Sequence, residues 1–591
     1  MSANQLITEH IDLWTSTIKA KNSQGRGSSK KRELYGIKKL RELILELAVR
    51  GKLVPQDPSD EPASVLLEYI ATDKEHYVKD NKIRSRNELP EVTDEEKPFD
   101  LPQGWKWSRL GNLSDIVRGV TYKKHDASDS PLSSTLPLMR ANNIGNGLNF
   151  EQLLYIPKTI VKAGQLIVKG DVLIAMSSGS ANLVGKAAQA KNDLGSTFGA
   201  FCAVIRPFSS LLFPFIGFYC TTPIYRGQTQ ATGKGMGIQN LNKGAIELLY
   251  VPVSPLAEQH RIVAKVDELM ALCDQLEQQT ESSLDAHNLL VDTLLSTLTD
   301  AHNANELSDN WSRLADHFDT LITTDYAIEQ LKQTILQLAV QGKLVPQDPN
   351  DEPASELLKR IAAEKEQLIK DKKIKAQKPL PPINDKDKIF YLPDSWQWCR
   401  MDDICFGITS GSTPPKSEFN DLAGAPYLKV YNIRNQLIDF EYRSQFVNLD
   451  YHSTKLKRSV LYPGDVIMNI VGPPLGKVAI IPNSYPEWNC NQAITFFRPI
   501  EKNFNLYIYT YIKAGVFLQS IDLIGTAGQD NISVTKSRSI ALPVPPLEEQ
   551  YRIVAKVDEL MTLCDQLKTC LTEAQIAQLH LADTMVKKAT S

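Results

Sequence analysis

The chain has 591 residues and a net charge of −3, with 42% hydrophobic and 23% charged residues. This composition is ordinary for a globular protein of several domains, and no segment approaches the roughly 20 apolar residues that a transmembrane helix needs. The start of the chain lacks a basic flank followed by an apolar run, and the eight cysteines include no Cys-x-x-Cys pair, so we predict a cytoplasmic protein without secretory signal, disulfide framework or zinc site.

Two passages of sequence occur twice, each time 291 residues apart. Residues 53–64 return at 344–355 with a single change, and residues 261–270 return unaltered at 552–561. A repeat of this length indicates two fused copies and not a solenoid of short units. The stretches between the repeated passages do not match, so one frame holds two different inserts.

The first repeated element is predicted to be an amphipathic helix. Apolar residues recur at three- and four-residue spacing over 36–49 and again over 328–338, which places them on one helix face. Gly51 and Gly342 follow, as is typical of a helix C-terminus, and a second helix is predicted to begin shortly afterwards in each copy.

Each insert is predicted to be one mixed α+β domain. Gly170-Asp171 and Gly464-Asp465 precede β-branched runs, which is the pattern of a turn into a strand. These two turns lie 294 residues apart, so the inserts are expected to share a core while their loops differ in length.

Charge distinguishes the two inserts. Residues 99–252 carry 15 Lys or Arg against 8 Asp or Glu, a balance of +7, whereas residues 390–543 carry 14 against 13, a balance of +1. The rest of the chain therefore holds −11. A basic first insert favours a polyanionic partner, whose affinity falls as salt rises; the charge of the second insert does not add to that argument.

A long helix is predicted after each insert. Pro255 and Pro546 lie at the helix starts, and Glu258 lies in the first turn, where acidic residues favour the helix dipole. Apolar residues then alternate four and three apart, which indicates a coiled-coil seam and favours antiparallel pairing of the two helices. The seam positions are Ile262, Val266, Leu269, Cys273 and Leu276, matched by Ile553, Val557, Leu560, Cys564 and Leu567.

No motif in the chain predicts catalysis. The glycine-rich run Gly233–Gly237 lacks the preceding strand and the following acidic residue of a dinucleotide-binding loop. The run Gly472-Pro-Pro-Leu lacks the polar and aromatic groups that hold a flipped base in a methyltransferase. The nine histidines are scattered and form no recognisable metal cluster or triad.

Polar and basic clusters in the inserts are candidates for DNA contact, because base edges are read by Arg, Lys, Asn, Gln, Ser and Thr. A solvated loop with ordinary turn chemistry is the simpler interpretation of any single one, so the hypothesis rests on the set. In the first insert the candidates are Arg118, Thr121, Tyr122, Lys123, Lys124, Arg140, Asn142, Asn143, Ser177, Ser178, Gln239, Asn240 and Lys243. In the second insert they are Ser410, Ser412, Thr413, Lys416, Lys429, Tyr431, Asn432, Arg434, Gln529, Asn531 and Lys536.

Taken together, these features resemble the specificity subunit of type I restriction-modification systems over nearly the whole chain. The resemblance is carried by the duplicated helices, by Pro255-Leu-Ala-Glu-Gln and Pro546-Leu-Glu-Glu-Gln, by the Gly-Asp-Val strand starts, and by Thr-Ser-Gly-Ser-Thr-Pro-Pro-Lys-Ser at 409–417. It implies an α+β fold with two α/β target recognition domains of the same fold. Long conserved helices would separate and link them, forming an antiparallel coiled coil with an internal pseudo-twofold repeat.

The resemblance also implies an order of segments along the chain. We expect an N-terminal helical region at 1–98, target recognition domain 1 at 99–256, a central helical region at 257–389, target recognition domain 2 at 390–547 and a C-terminal helix at 548–591. Family members that begin directly with a recognition domain lack the first segment, which is expected to pack against the C-terminal helix.

The resemblance implies a sequence-specific DNA-binding subunit without catalytic activity, each recognition domain reading half of a bipartite, asymmetric site. Its expected partners are double-stranded DNA, two modification subunits that methylate adenine, and restriction subunits, with no membrane. No cofactor is expected in this chain, because S-adenosylmethionine, ATP and Mg²⁺ serve the partner subunits. Three alternatives stay open: a stand-alone DNA-binding regulator, a single-chain methyltransferase or nuclease, and a coiled-coil scaffold whose inserts bind proteins.

Overall fold

The computed structural model describes residues 7–20, 32–80, 88–145, 147–178, 183–232, 239–521, 524–526 and 529–590. Contacts group the chain into two units, one of residues 1–283 with 573–591 and the other of residues 284–572. Each unit holds one insert and a set of frame helices, and helix and sheet together confirm the predicted α+β class. The antiparallel coiled coil and the five segment boundaries stay predictions.

The first unit builds its helical frame around the start of the long helix that follows the insert. Arg41 forms ion pairs with Asp274 (2.9 Å) and Glu277 (2.5 Å) of that helix. The Tyr35 hydroxyl donates to Asp583 near the end of the chain (2.8 Å), which confirms the predicted packing of the N-terminal region against the C-terminal helix. The frame helices are Ile11–Ser16, Tyr35–Val49, Ala63–Lys79, Leu256–Asp300 up to residue 283, and Leu547–Thr590 from residue 573.

The predicted helix end at Gly51 is confirmed. Gly51 has a left-handed backbone (φ +65°), and a Cβ there would lie 2.6 Å from the Pro102 ring. Glycine is therefore required both by the backbone conformation and by the close approach of the chain that leads into the insert.

A buried carboxylate joins three repeated segments of this frame. Glu258 is 1% exposed and accepts hydrogen bonds from Trp105 Nε1 (2.9 Å) and Gln56 Nε2 (2.6 Å). Arg261, one helical turn later, pairs with Asp60 (2.5 Å). Side chains of the two repeated passages contact each other across the frame, which explains why each passage keeps its residues in both copies.

The first insert is closed at the frame by its first and last strands, which pair antiparallel. Its main sheet has four antiparallel strands, and a smaller sheet contains one parallel pair. The strands are Lys106–Arg109, Ser114–Arg118, Thr135–Met139, Leu154–Pro157, Val172–Ala175, Ser177–Ser178, Ala187–Gln189, Thr197–Phe198, Cys202–Pro207, Gln239–Asn240 and Tyr250–Val253. The helices are Leu110–Leu113, Phe213–Tyr219, Pro223–Thr232 and Lys243–Glu247.

The predicted Gly-Asp turn into a strand is present, and it anchors the main sheet. Asp171 is 1% exposed and accepts hydrogen bonds from Arg206 on the neighbouring strand (2.8 and 2.6 Å). Asp465 and Arg498 form the same contact in the second insert (2.8 and 2.5 Å). This pair places the turn against the same strand in both inserts.

The second unit repeats the frame with its own contacts. Glu549 accepts from Trp396 Nε1 (3.0 Å) and Gln347 Nε2 (2.6 Å), and Arg552 pairs with Asp351 (2.6 Å). The frame helices are Leu256–Asp300 from residue 284, Ala304–Asp316, Phe318–Leu321, Asp325–Val340, Ala354–Lys370, and Leu547–Thr590 up to residue 572.

The second insert has the same core and additional short strands. Its strands are Gln397–Arg400, Thr409–Ser410, Phe419–Asn420, Ala425–Leu428, Ile433–Arg434, Leu437–Ile438, Phe446–Val447, Val466–Asn469, Val478–Ile480, Asn489–Cys490, Ile494–Phe497, Ile524–Thr526, Gln529–Asn531 and Ala541–Val544. Its helices are Met401–Ile404, Leu449–Thr454, Phe504–Ala514 and Val534–Arg538.

The seam positions of the first long helix are all buried, including the Cys273 thiol at 0% exposure. In the second helix the seam is buried at Ile553, Val557 and Cys564, whereas Leu567 is 38% exposed. Within the described residues, none of the helices is long and apolar enough to cross a bilayer.

Candidate nucleic-acid interface

One end of the main sheet of the first insert carries a groove of about 560 Å³, which we call the first tip. It lies where the strand Ser114–Arg118 ends and the strand Cys202–Pro207 begins. Six predicted DNA-contact residues from three separate loops meet there. The lining residues are Val120, Thr121, Tyr122, Lys124, Ala127, Arg140, Ala141, Asn142, Leu154, Ser177, Gly199, Ala200, Phe201 and Cys202.

Asn143 builds the first tip from inside the domain. It is fully buried, and its side chain accepts from the backbone N–H of Arg140 (2.9 Å) and donates to the carbonyl of Glu151 (2.9 Å). The polar atoms of Asn143 are therefore used within the domain, where they hold the turn that presents Arg140 and Asn142. Arg140 is half-buried, with one guanidinium nitrogen donating to the carbonyl of Gln152 (2.8 Å).

The other predicted residues of the first insert lie in different environments. Arg118 and Lys123 are exposed beside the groove. Lys243 is half-buried, pairs with Asp115 (3.0 Å) and lies 3.7 Å from Glu247, so its charge is partnered within the domain. The backbones of Ser178, Gln239 and Asn240 are described but their side chains are not, and residues 233–237 lie outside the described residues.

The second insert carries an equivalent surface, the second tip, built on the same backbone. Four backbone hydrogen bonds join the loops and strands at this end of the four-stranded sheet, and the same four bonds form in both inserts. In the first tip they join Gly119 N to Cys202 O, Gly199 N to Met139 O, Met176 N to Phe201 O and Cys202 N to Gly199 O. In the second tip they join Gly411 N to Ile494 O, Asn491 N to Leu428 O, Ile470 N to Ala493 O and Ile494 N to Asn491 O.

These bonds establish which tip residues of the two inserts are structurally equivalent. Phe201 corresponds to Ala493, and Ala200 corresponds to Gln492. By the equivalent turn, Arg140 corresponds to Lys429. The side chains that project from a shared backbone therefore differ in size, charge and hydrogen-bonding capacity.

Cations lie over aromatic rings at the second tip. Arg434 lies 4.2 Å from the ring centre of Tyr442, and Arg443 lies 5.3 Å from the same ring. Lys429 lies 5.9 Å from the ring centre of Tyr431. Burial raises the pKa of the Tyr431 hydroxyl, so this group stays neutral and able to donate a hydrogen bond. Such a cluster suits phosphate and base contact despite the nearly neutral charge of the insert.

The remaining predictions for the second insert divide into surface and internal positions. Asn432 is 1% exposed and bonds the backbone of Lys429, Asp439 and Tyr442, so its polar atoms are used within the domain as those of Asn143 are. The Thr413 hydroxyl bonds the side chain of Gln492. Of the others, Lys416 is exposed, Ser410, Ser412, Asn531 and Lys536 are half-buried, and the side chain of Gln529 is not described.

Three residues at the tips were missed by the sequence patterns. Phe201 has its side chain exposed, and Tyr442 and Arg443 belong to the cation–aromatic cluster. Aromatic residues beside strands ordinarily predict core, so no local pattern distinguishes these. Comparison of the repeated inserts position by position would have drawn attention to Phe201, because alanine occupies its place in the second insert.

The groups that line the described part of the first tip suit binding. Cys202 is one of the lining residues, but its side chain is buried, and burial raises the pKa of its thiol to about 12, which keeps it protonated. Within the described ranges, no group of three or more His, Cys, Asp or Glu side chains is arranged to hold a metal ion.

Known proteins match this chain along its whole length. The family model described as "Type I restriction modification DNA specificity domain" matches residues 102–286 and again 393–578. The chain is 42% identical over 604 residues to the type I restriction enzyme EcoAI specificity subunit of Escherichia coli, and 40% identical over 609 residues to the EcoEI specificity subunit of the same species; both alignments cover 100% of each chain.

A solved structure titled "Structural basis underlying complex assembly and conformational transition of the type I R-M system" includes a chain 20% identical to this one. That alignment covers 83% of this chain and 99% of the other, with a TM-score of 0.45. Because this TM-score is below 0.5, family membership rests on the sequence matches.

Proposed function

The chain belongs to the type I restriction-modification DNA specificity family, and we propose that its first tip reads one half of a bipartite, asymmetric DNA site while its second tip reads the other. As a specificity subunit it directs methylation or restriction without catalysing either, since those activities belong to partner subunits. The stand-alone regulator is not favoured. The two tips share one backbone but carry unlike side chains, which supports an asymmetric site. Identical tips would read a palindrome.

We propose that the DNA contacts come from the two tips and from the predicted polar residues around them. Their polar and basic groups suit phosphate positioning and base readout, whereas Asn143, Asn432 and Lys243 serve the fold. The proposed contacts are Arg118, Thr121, Tyr122, Lys123, Lys124, Arg140, Asn142, Ser177, Ser178, Gln239, Asn240, Ser410, Ser412, Thr413, Lys416, Lys429, Tyr431, Arg434, Gln529, Asn531 and Lys536.

We propose that the frame helices dock two modification subunits, and that restriction subunits join that assembly. S-adenosylmethionine, ATP and Mg²⁺ would then bind to those partners. We also propose that the stretch from Glu258 to Gln278 of the helix Leu256–Asp300, roughly 30 Å long at 1.5 Å per residue, helps to set the gap between the half-sites. Inserting one heptad after Leu276 should change the recognised spacer, and an unchanged spacer would contradict that role.

The proposed function is tested by sequencing the methylated bases in cells that express this chain with its modification subunit. We expect one asymmetric motif of two parts, with adenine methylated, that is absent from cells expressing the modification subunit alone. A palindromic motif, or no motif dependent on this chain, would overturn the proposal.

A further inference from the structure

Phe201 is the largest apolar group presented to solvent in the first tip. Its side chain is 72% exposed, although it lies between Ala200 and Cys202 in a turn that leads into a buried strand. Exposed phenylalanine is ordinarily unfavourable, because burying such a side chain would remove apolar area from water. A partner that covered the ring in this groove would therefore gain the free energy of burying its apolar area.

The backbone that carries Phe201 is fixed on both sides. The Phe201 carbonyl accepts from Met176 N–H (2.8 Å) and from Ser177 N–H (3.2 Å), and Gly199 N–H donates to Met139 (3.0 Å). A Cβ at Gly119 would collide with the carbonyl oxygen of Gly199, so two turns meet backbone against backbone. The ring therefore projects from a preorganised support, which reduces the ordering cost of any contact that it makes.

The second tip provides an internal comparison for this position. Ala493 occupies the equivalent turn, and its carbonyl accepts from Ile470 N–H (2.8 Å) as the Phe201 carbonyl accepts from Met176 N–H (2.8 Å). Since the backbone is satisfied equally well with alanine, the fold of the turn does not require the phenylalanine ring. The ring is an addition particular to the first tip.

We propose that Phe201 is a specificity-determining residue that packs against the 5-methyl group of a thymine in the half-site read by the first tip. Apolar contact with this methyl group is the feature by which a phenylalanine distinguishes thymine in the major groove. Arg140 and Lys124 line the same groove and supply groups for guanine and phosphate. This inference rests on the proposed function, because it assumes that the first tip meets DNA bases.

The test uses the complete modification complex and duplexes that carry its methylation motif. Each thymine of the first half-site is replaced in turn by deoxyuridine, which lacks only the 5-methyl group. At one position we expect binding by the wild-type complex to weaken about fourfold, the ratio that corresponds to one buried methyl group. In the Phe201→Ala complex that position should show no difference between thymine and deoxyuridine, whereas Phe201→Leu should retain part of the difference.

Leu211→Ala is the matched control, because Leu211 is an exposed apolar residue (42%) that follows the opposite end of the strand Cys202–Pro207. It should leave the thymine preference intact, and readout of the second half-site should survive Phe201→Ala. A half-site without thymine on either strand would overturn the inference. So would an equal deoxyuridine effect in wild type and Phe201→Ala, or a loss of affinity that is uniform across sequences. Absence of any bipartite motif would instead overturn the proposed function.

Discussion

The two insert domains use one backbone to present two chemistries. The first tip is a groove with an exposed ring and basic neighbours in a domain of net charge +7, whereas the second places cations over aromatic rings in a domain of net charge +1. Phe201 occupies the position equivalent to Ala493, and Arg140 occupies the position equivalent to Lys429. Because the turns are held by backbone hydrogen bonds, the same backbone accommodates different projecting side chains in the two inserts.

The two tips also show that the net charge of an insert does not report where its cations gather. The second insert has nearly as many acidic as basic residues, yet Lys429, Arg434 and Arg443 gather around the rings of Tyr431 and Tyr442. Local arrangement therefore matters more than the sum.

The shared support of the tips can be broken at its buried asparagines. Asn143→Ala should destabilise the first unit by about 3 kcal/mol, because a buried backbone N–H and a carbonyl lose their partners. Asn432→Ala should cost a similar amount in the second unit. Urea unfolding measures both changes in stability. In the methylation motif, Asn143→Ala should weaken base preference in the first half-site only, and Asn432→Ala in the second half-site only. A harmless Asn432→Ala beside a damaging Asn143→Ala would show that the two turns are not equivalent.

The different chemistry of the tips is tested by replacing, one at a time, the residues that start the equivalent turns. Arg140→Ala should relax the preference at one base position of the first half-site by about 1 to 3 kcal/mol, and Lys429→Ala should act on the second half-site alone. Binding to a panel of single-base variants measures this. If Arg140→Ala alters neither affinity nor preference, Arg140 serves only the fold through its bond to Gln152.

A similar phosphate contact is expected at both tips from Lys124 and Lys416. Each is exposed at the first residue of a short 3₁₀ turn. Replacing either by alanine should weaken binding to all sequences and reduce the slope of log affinity against log salt by about 1. A change of base preference with an unchanged salt slope would instead assign that lysine to base readout.

The frame was predictable from sequence because its signals are local. Three- and four-residue spacing gave the helices, and Gly51 marked a helix end that the left-handed backbone confirms. Glu258 was interpreted as a first-turn acid near the helix dipole, whereas its main contacts are Trp105 and Gln56. Those partners lie far away in sequence, and periodicity does not report which distant side chains meet.

The tips were predictable only as a set. Six of the residues that polar clustering predicts lie in one groove, but the clustering does not separate Asn142, which is exposed, from Asn143, which is buried. Adjacent asparagines look alike in sequence, and which of them turns inward is decided by the carbonyl of Glu151 across the turn. Exposure of Phe201 depends likewise on how separate turns pack.

The smallest expected difference between the two halves lies where the chain enters each insert. Arg109 binds both carboxylate oxygens of Glu96 (3.0 and 2.6 Å), whereas Arg400 binds one oxygen of Asp387 (2.8 Å). The hydrogen bonds from Arg109 lower the pKa of Glu96 from 4.5 to about 2. Since the folded pKa is depressed, this pair stabilises the protein above about pH 4.5, and the contribution is lost as pH falls towards 2.

Glu96→Gln should therefore lower the unfolding free energy of the first unit at neutral pH and make no difference near pH 2. The Glu96 side chain is 38% exposed, so solvent screening limits the effect to under about 1 kcal/mol. The measurement is the difference in urea midpoint between wild type and variant across this pH range. Glu95→Gln, an exposed neighbour, should show no such difference. A wild-type advantage that persists unchanged to pH 2 would mean that the charge of Glu96 is not what binds Arg109, and the bidentate contact would then not distinguish the first half from the second.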